Sequence, residues 1–144
     1  ALMHFEQQKL KRMNTARHRM RSLVVITIIL YQSFVIAPLA NLSLAPESAA
    51  LFLRSIWPIF FVLIGGIGVT GVIQKNHTRA RNINLITVIS MIACIILVPG
   101  INLAMDTGNI ALWKILHMAT VGLTLASLIL HILFAVRWHH IHEE

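Results

Sequence analysis

Four long apolar runs organise this chain: Leu23 to Leu42, Leu51 to Ile73, Leu85 to Ala104 and Ile110 to Val136. Each reaches or exceeds the ~20 residues a helix needs to cross ~30 Å of hydrocarbon. The lipid interior offers the backbone no hydrogen-bond partner, so a spanning segment must be a helix or part of a closed barrel. A barrel strand would alternate apolar and polar residues with period two, and no such alternation is present. The pattern therefore predicts an all-α integral membrane four-helix bundle. Its domain would run over 22–138, with spans at about 23–42, 50–73, 84–104 and 110–136. A basic segment, 1–21, precedes it, and a His-rich tail, 139–144, follows.

Composition agrees with that pattern. Of 144 residues, 57% are hydrophobic and only 12% charged, against about 25% charged in an ordinary soluble domain. The net charge of +7 would suggest nucleic acid in a soluble protein, but here it sits at helix ends. Lys9, Lys11, Arg12, Arg17, Arg19 and Arg21 precede the first span. Lys75, Arg79 and Arg81 lie between the second and third, and Arg137 follows the fourth. The positive-inside rule places these three regions in the cytoplasm, and an even number of spans also puts both ends on one side. No nucleic-acid partner is expected. The first apolar run is long and lacks a small-residue cleavage site, so it reads as a span rather than a removable signal. Compact spans with short loops suit a bacterial cytoplasmic (inner) membrane.

Residues 1–21 interleave basic positions with Leu10 and Met13. They read either as a short amphipathic helix on an anionic leaflet or as a solvated tail. Gln32 and Ser33 fall mid-span and mark a face that packs on other helices. Pro38 should kink the first span, and Pro99-Gly100 should break or bend the third. Arg54 can snorkel toward the outer surface, and Trp57 fits the outer aromatic belt. Gly65, Gly66, Gly68 and Gly71 crowd the second span. The last three spell G-x-G-x-x-G, which binds dinucleotides only between a strand and a helix. At membrane depth these glycines instead allow helices to approach closely.

Candidate chemistry is sparse. The five carboxylates all lie outside the apolar runs, which leaves no buried acid for a Ser–His–Asp arrangement or an intramembrane proton relay. No catalytic or metal site is expected. His117 and His131 do lie within the last run. Fourteen residues of helix separate them by ~21 Å and leave them within ~40° of one face. The ordinary reading is that each makes an interhelical hydrogen bond, with Gln32, Ser33, Thr87, Ser90, Thr120, Thr124 and Ser127 as available partners. The sharper reading is haem b ligation, since imidazole is an axial ligand of iron. The H-x13-H spacing resembles b-type cytochromes, but the first three spans contain no facing histidine, and Met91 is the only other candidate ligand near the depth of His131. His18 and His77 fall in segments read as cytoplasmic. Cys94, the one cysteine, reads as a small buried apolar residue. His139, His140 and His142 read as a polar tail beside the membrane or, less simply, as a Zn or Cu site.

The segments QSFVIAPL, SIWPIFFVLIGG, VPGINLA and WKILHMATVGL resemble a little-characterised family of small four-span membrane proteins, whose human member is linked to cisplatin resistance. The resemblance covers most of residues 25–135. It implies a four-helix membrane fold in which His117 matches the family's histidine near the start of the last helix. A weaker similarity runs to cytochrome-b-like or copper-resistance membrane proteins, through W-x3-H and the later histidine. Function is expected to be that of a non-enzymatic accessory or structural subunit of a larger membrane complex. The alternative is a haem-binding electron-transfer subunit using His117 and His131.

Overall fold

The computed structural model describes residues 2–74 and 77–137. The described residues form helices linked by short turns: α1 (Leu2–Tyr31), a π-helical turn (Gln32–Ile36), α2 (Ala37–Ser43), α3 (Pro46–Ile73), α4 (Thr78–Asp106) and α5 (Ile110–Arg137). The α1–π–α2 segment is one continuous span, so four rods are long and apolar enough to cross a membrane. This is the expected all-α four-helix membrane bundle. The basic segment is helical from Leu2 and runs without a break into the first span. Among its described side chains none is buried before His18, and Leu10 and Met13 stand exposed. The His-rich tail, with Trp138, His139, His140 and His142, lies outside the described residues.

The prolines act differently from one another. Pro38 has no N–H to give the carbonyl of Phe34, and its ring would press on that carbonyl. The helix widens just before it, and the Ala37 N–H reaches Gln32 O in π register. Pro99 does not break the third span, because α4 continues through it to Asp106. Pro58 is likewise carried within α3, as membrane helices tolerate when neighbours protect the freed backbone.

The turns are chemically explicit. Pro46 sits in the first turn of α3, where a missing N–H leaves no bond unmade. Gly108 takes φ +68° between α4 and α5, a conformation that suits glycine. Asn109 then caps α5, its Oδ1 accepting from the Leu112 N–H at 3.1 Å.

Packing is tightest between α3 and α4, then between α4 and α5. Glycines at three-residue intervals explain the first contact. A Cβ on Gly68 would lie 2.8 Å from Val88 Cγ2, and one on Gly71 would overlap the Asn84 amide group. Gly65 stands against Met91 at 3.4 Å by the same measure. Gly66 does not belong to this seam: it is exposed, and a Cβ there would meet nothing within 4 Å. The expected helix-packing set thus loses Gly66, because one residue along a helix turns the side chain ~100°. The core beside this seam gathers Val25, Ile29, Phe60, Phe61, Ile64, Met91, Cys94 and Leu128.

Replacing Gly68 with Val should therefore destabilise the bundle by about 1–3 kcal/mol, the usual range for overpacking. Gly66→Val should stay within about 0.5 kcal/mol of the wild type. Unfolding in mixed micelles, followed by circular dichroism, separates the two.

Candidate functional site

Each helix turns a row of residues inward, and on α1, α4 and α5 those rows carry several polar side chains. On α1 and into the π turn the buried positions are His18, Ser22, Val25, Ile29 and Gln32, spaced at four, three, four and three residues. On α4 they include Asn84, Thr87, Ser90, Met91 and Cys94. On α5 Thr120, Thr124, Ser127 and His131 share the inward face. The polar groups meet in two places.

The first is a buried node toward the basic end of the bundle. His131 is completely buried. Its Nδ1 lies 2.9 Å from Ser22 Oγ, and its Nε2 lies 3.1 Å from Thr87 Oγ1. The tautomer follows from proton counting. The Thr87 hydroxyl donates to Ile83 O at 3.0 Å, so Nε2–H donates to Thr87, and in the neutral ring Nδ1 accepts from Ser22. One singly protonated ring thus ties α1, α4 and α5 together. Next to Ser22 in the chain, Arg21 ties α1 to α3. Its Nε donates to Thr70 Oγ1 at 3.1 Å, and Nη2 donates to Gln74 Oε1 at 3.0 Å. Nη1 donates to His18 Nδ1 at 3.1 Å. The His18 and His77 rings lie 5.9 Å apart, and His77 stands edge-on to Phe134 at 5.7 Å.

The second is a cavity of about 730 Å³ at the opposite end. Ile29, Phe61, Val98 and Leu128 form its depth, and Arg54, Asn102, Trp113 and His117 are among its other lining residues. His117 lies flat against Trp113, with ring centroids 5.0 Å apart and planes 6° from parallel. Arg54 reaches across from α3 to pair with Asp106 at 2.6 Å, so it is bonded rather than merely snorkelling. Trp57 stacks on Phe61 at 5.8 Å and meets Phe60 edge-on at 5.2 Å. The cavity lies where the first span leaves α5: α1 packs on both α5 and α3, and α2, beyond the π turn, keeps its contacts with α3.

The two span histidines therefore belong to different environments. The residues present do not fit a haem b held by His131. An axial ligand must offer iron a free nitrogen lone pair, and both ring nitrogens already face Thr87 and Ser22. Met91 is buried in the neighbouring core, and the ring partner of His131 is Thr87 instead. Among the described residues no group of three His, Cys, Asp or Glu side chains converges on a point. Of the partners read from sequence, Thr87 bonds His131, while Thr120, Thr124 and Ser127 donate to carbonyls of their own helix. Gln32 is buried, and its Nε2 has no partner among the described residues. Ser33 is half-buried and lines the cavity. Cys94 is buried, with Sγ 3.8 Å from Thr120 O.

From sequence, His18 and His77 fall in segments read as cytoplasmic, and neither Ser22 nor Asn84 stands out. In the fold His18 is 1% exposed. The signal was available: His18 and Ser22 continue, in register, the inward row of Val25 and Ile29.

Fold and site together define a multi-pass α-helical membrane protein, closed by polar bonds at its basic end and hollow at the other. Compared with protein-family models, curated proteins and solved structures, the chain finds no match.

Removing the His131 ring would leave the Ser22 hydroxyl buried without its partner and take from Thr87 the donor it accepts from. His131→Ala should destabilise the bundle by about 1–3 kcal/mol, since a buried polar group is stranded along with the cavity. Ser22→Ala should cost less, near the ~0.6 kcal/mol average for polar contacts in membrane bundles. In a double-mutant cycle the two effects should fall short of additive, and full additivity would show that the bond contributes nothing.

Proposed function

We propose that this protein is a non-catalytic accessory or structural subunit of a larger membrane assembly. Its membrane, on this reading, is a bacterial cytoplasmic one. The observation that carries the proposal is the outward face of α5. Ala119, Gly122 and Ala126 are all exposed and lie within ~60° of one another around the helix. A methyl group added to Gly122 would meet nothing within 4 Å. Ile115 and Ile129 bound this small patch on the same face, one turn before and after it, and Met118 flanks it. Small residues on a lipid-facing surface let a second backbone approach closely, which is how membrane helices associate.

The disposition of polar chemistry supports the same reading. Inside the spans, the node residues and the threonines of α5 satisfy one another or their own backbone. Glu47 lies in the first turn of α3 and Asp106 at the end of α4, so neither acid reaches the depth of His131. The resemblance to small four-span membrane proteins points the same way, since such a fold has little mass outside the bilayer.

The test is photo-crosslinking in the native membrane. A photoreactive residue at Ala126 should give a discrete adduct heavier than the 16.1 kDa chain. One at Ile96, which is 70% exposed on α4, should not. Gly122→Leu should abolish the adduct. Recovery of a lone monomer with no adduct at Ala126 would defeat the reading.

A further inference from the structure

The cavity of about 730 Å³ has no role in the assembly just proposed, and its chemistry specifies an occupant. A void of that size left empty would forfeit more packing than a small bundle can spare. Water suits its depth poorly, because Ile29, Phe61, Val98 and Leu128 offer no hydrogen bonds and the Thr120 and Thr124 hydroxyls beside them already donate to carbonyls of their own helix. The lining also includes groups that want a partner: Asn102, Trp113 and His117 make no side-chain hydrogen bond among the described residues. Polar groups toward the loop end and an apolar floor at mid-membrane match a molecule with the same gradient.

The route in is lateral. Phe34 and Leu125 line opposite sides of the cavity, yet are 72% and 51% exposed on the outside of the bundle. They bound a gap between the π turn and α5 that opens sideways at the end away from the basic residues, which the positive-inside rule makes the outer leaflet. The volume lies within the range of about 300–1,000 Å³ for sites that enclose one small molecule. That suits one chain and its head better than a two-chain phospholipid.

We propose that this cavity binds a single-chain amphiphile drawn from the outer leaflet, with an oxygen-rich, hydrogen-bond-accepting head. Asn102 and His117 donate to that head, and the Arg54 guanidinium stands beside it. The tail lies along Phe61, Val98 and Leu128. A carboxylate and a phosphate ester share the required chemistry.

Trp57 and Trp113 line the cavity and report its occupancy. The full chain carrying Trp138→Phe is placed in phosphatidylcholine vesicles and titrated with dibromostearate, whose bromines quench indole. Saturable quenching is expected, reversed by unbrominated stearate. Brominated lysophosphatidylcholine serves as the phosphate arm. Saturation by either probe supports the site, and the tighter one names the head. Val121→Phe, which narrows the gap at an already exposed position, should weaken binding by about tenfold or more. Val136→Phe, exposed on the same helix but away from the cavity, should not change it. Asn102→Leu should weaken binding while leaving a headless dibromoalkane unaffected. Three results would overturn the proposal: quenching that rises without saturating, equal competition by the headless probe, or saturation only by a two-chain brominated phosphatidylcholine.

Discussion

Hydrocarbon supplies neither donors nor acceptors, and the rest of this structure depends on how the chain meets that constraint. In lipid the outside of a bundle must be apolar, so polarity is turned inward. Most inward groups solve the problem locally. Thr120 donates to His117 O at 2.8 Å, Thr124 to Thr120 O at 2.9 Å, and Ser127 to Leu123 O at 3.1 Å. Such bonds tie a side chain to its own helix and say nothing about the neighbours. An imidazole at position 131 cannot do the same, because its two nitrogens point in diverging directions. It must find a donor on one helix and an acceptor on another. His131 therefore specifies the relative placement of α1, α4 and α5 in a way the hydroxyls do not.

Arg21 extends the same logic to the fourth rod. A guanidinium needs several acceptors, and it finds them on Thr70 and Gln74 of α3 and on His18 of its own helix. The glycine seam brings α3 and α4 together independently, through shape rather than polarity. The basic end of the bundle is thus fixed by two kinds of interaction with different failure modes. A methyl group disrupts the seam, while a lost proton or lone pair disrupts the node. At the other end, among the described residues, only Arg54–Asp106 crosses between helices as an ion pair, with both side chains partly exposed. Exposed pairs contribute little, typically below about 1 kcal/mol. The hollow end is accordingly the weakly specified end.

Much of this was legible in sequence, and the gaps have physical causes. The four spans follow from run length alone, and inward polar positions such as Gln32 and Thr87 follow from their depth. The glycines gave the closeness of packing but not its direction. Gly66 and Gly68 read alike along the chain, and only the helical phase separates them. The Pro99-Gly100 pair does not break the helix, because a proline in a packed membrane helix need not interrupt it. The burial of His18 went unread because a charge-rich segment reads as solvated, although its spacing to Ser22 and Val25 continued the buried row. The cavity could not have been read at all. It comes from the divergence of two helices, which no single segment encodes.

That divergence begins beside one missing proton. Pro38 cannot donate to Phe34 O, so an α-helical bond is absent there whatever the local register. Shifting the preceding turn to π register, with Ala37 N–H on Gln32 O, therefore sacrifices little that proline had not already removed. Gln32, in the π turn, is the last residue of the buried row that begins on α1, and the next buried position is Ala40 on α2. Between them the chain leaves α5 and keeps its contacts with α3. Ser33 and Phe34, at the start of the departure, become wall residues of the cavity. The node and the cavity thus meet on one helix: its straight half is held by His131 and Arg21, and its other half departs beside a residue that cannot form the bond that would have kept the turn tight.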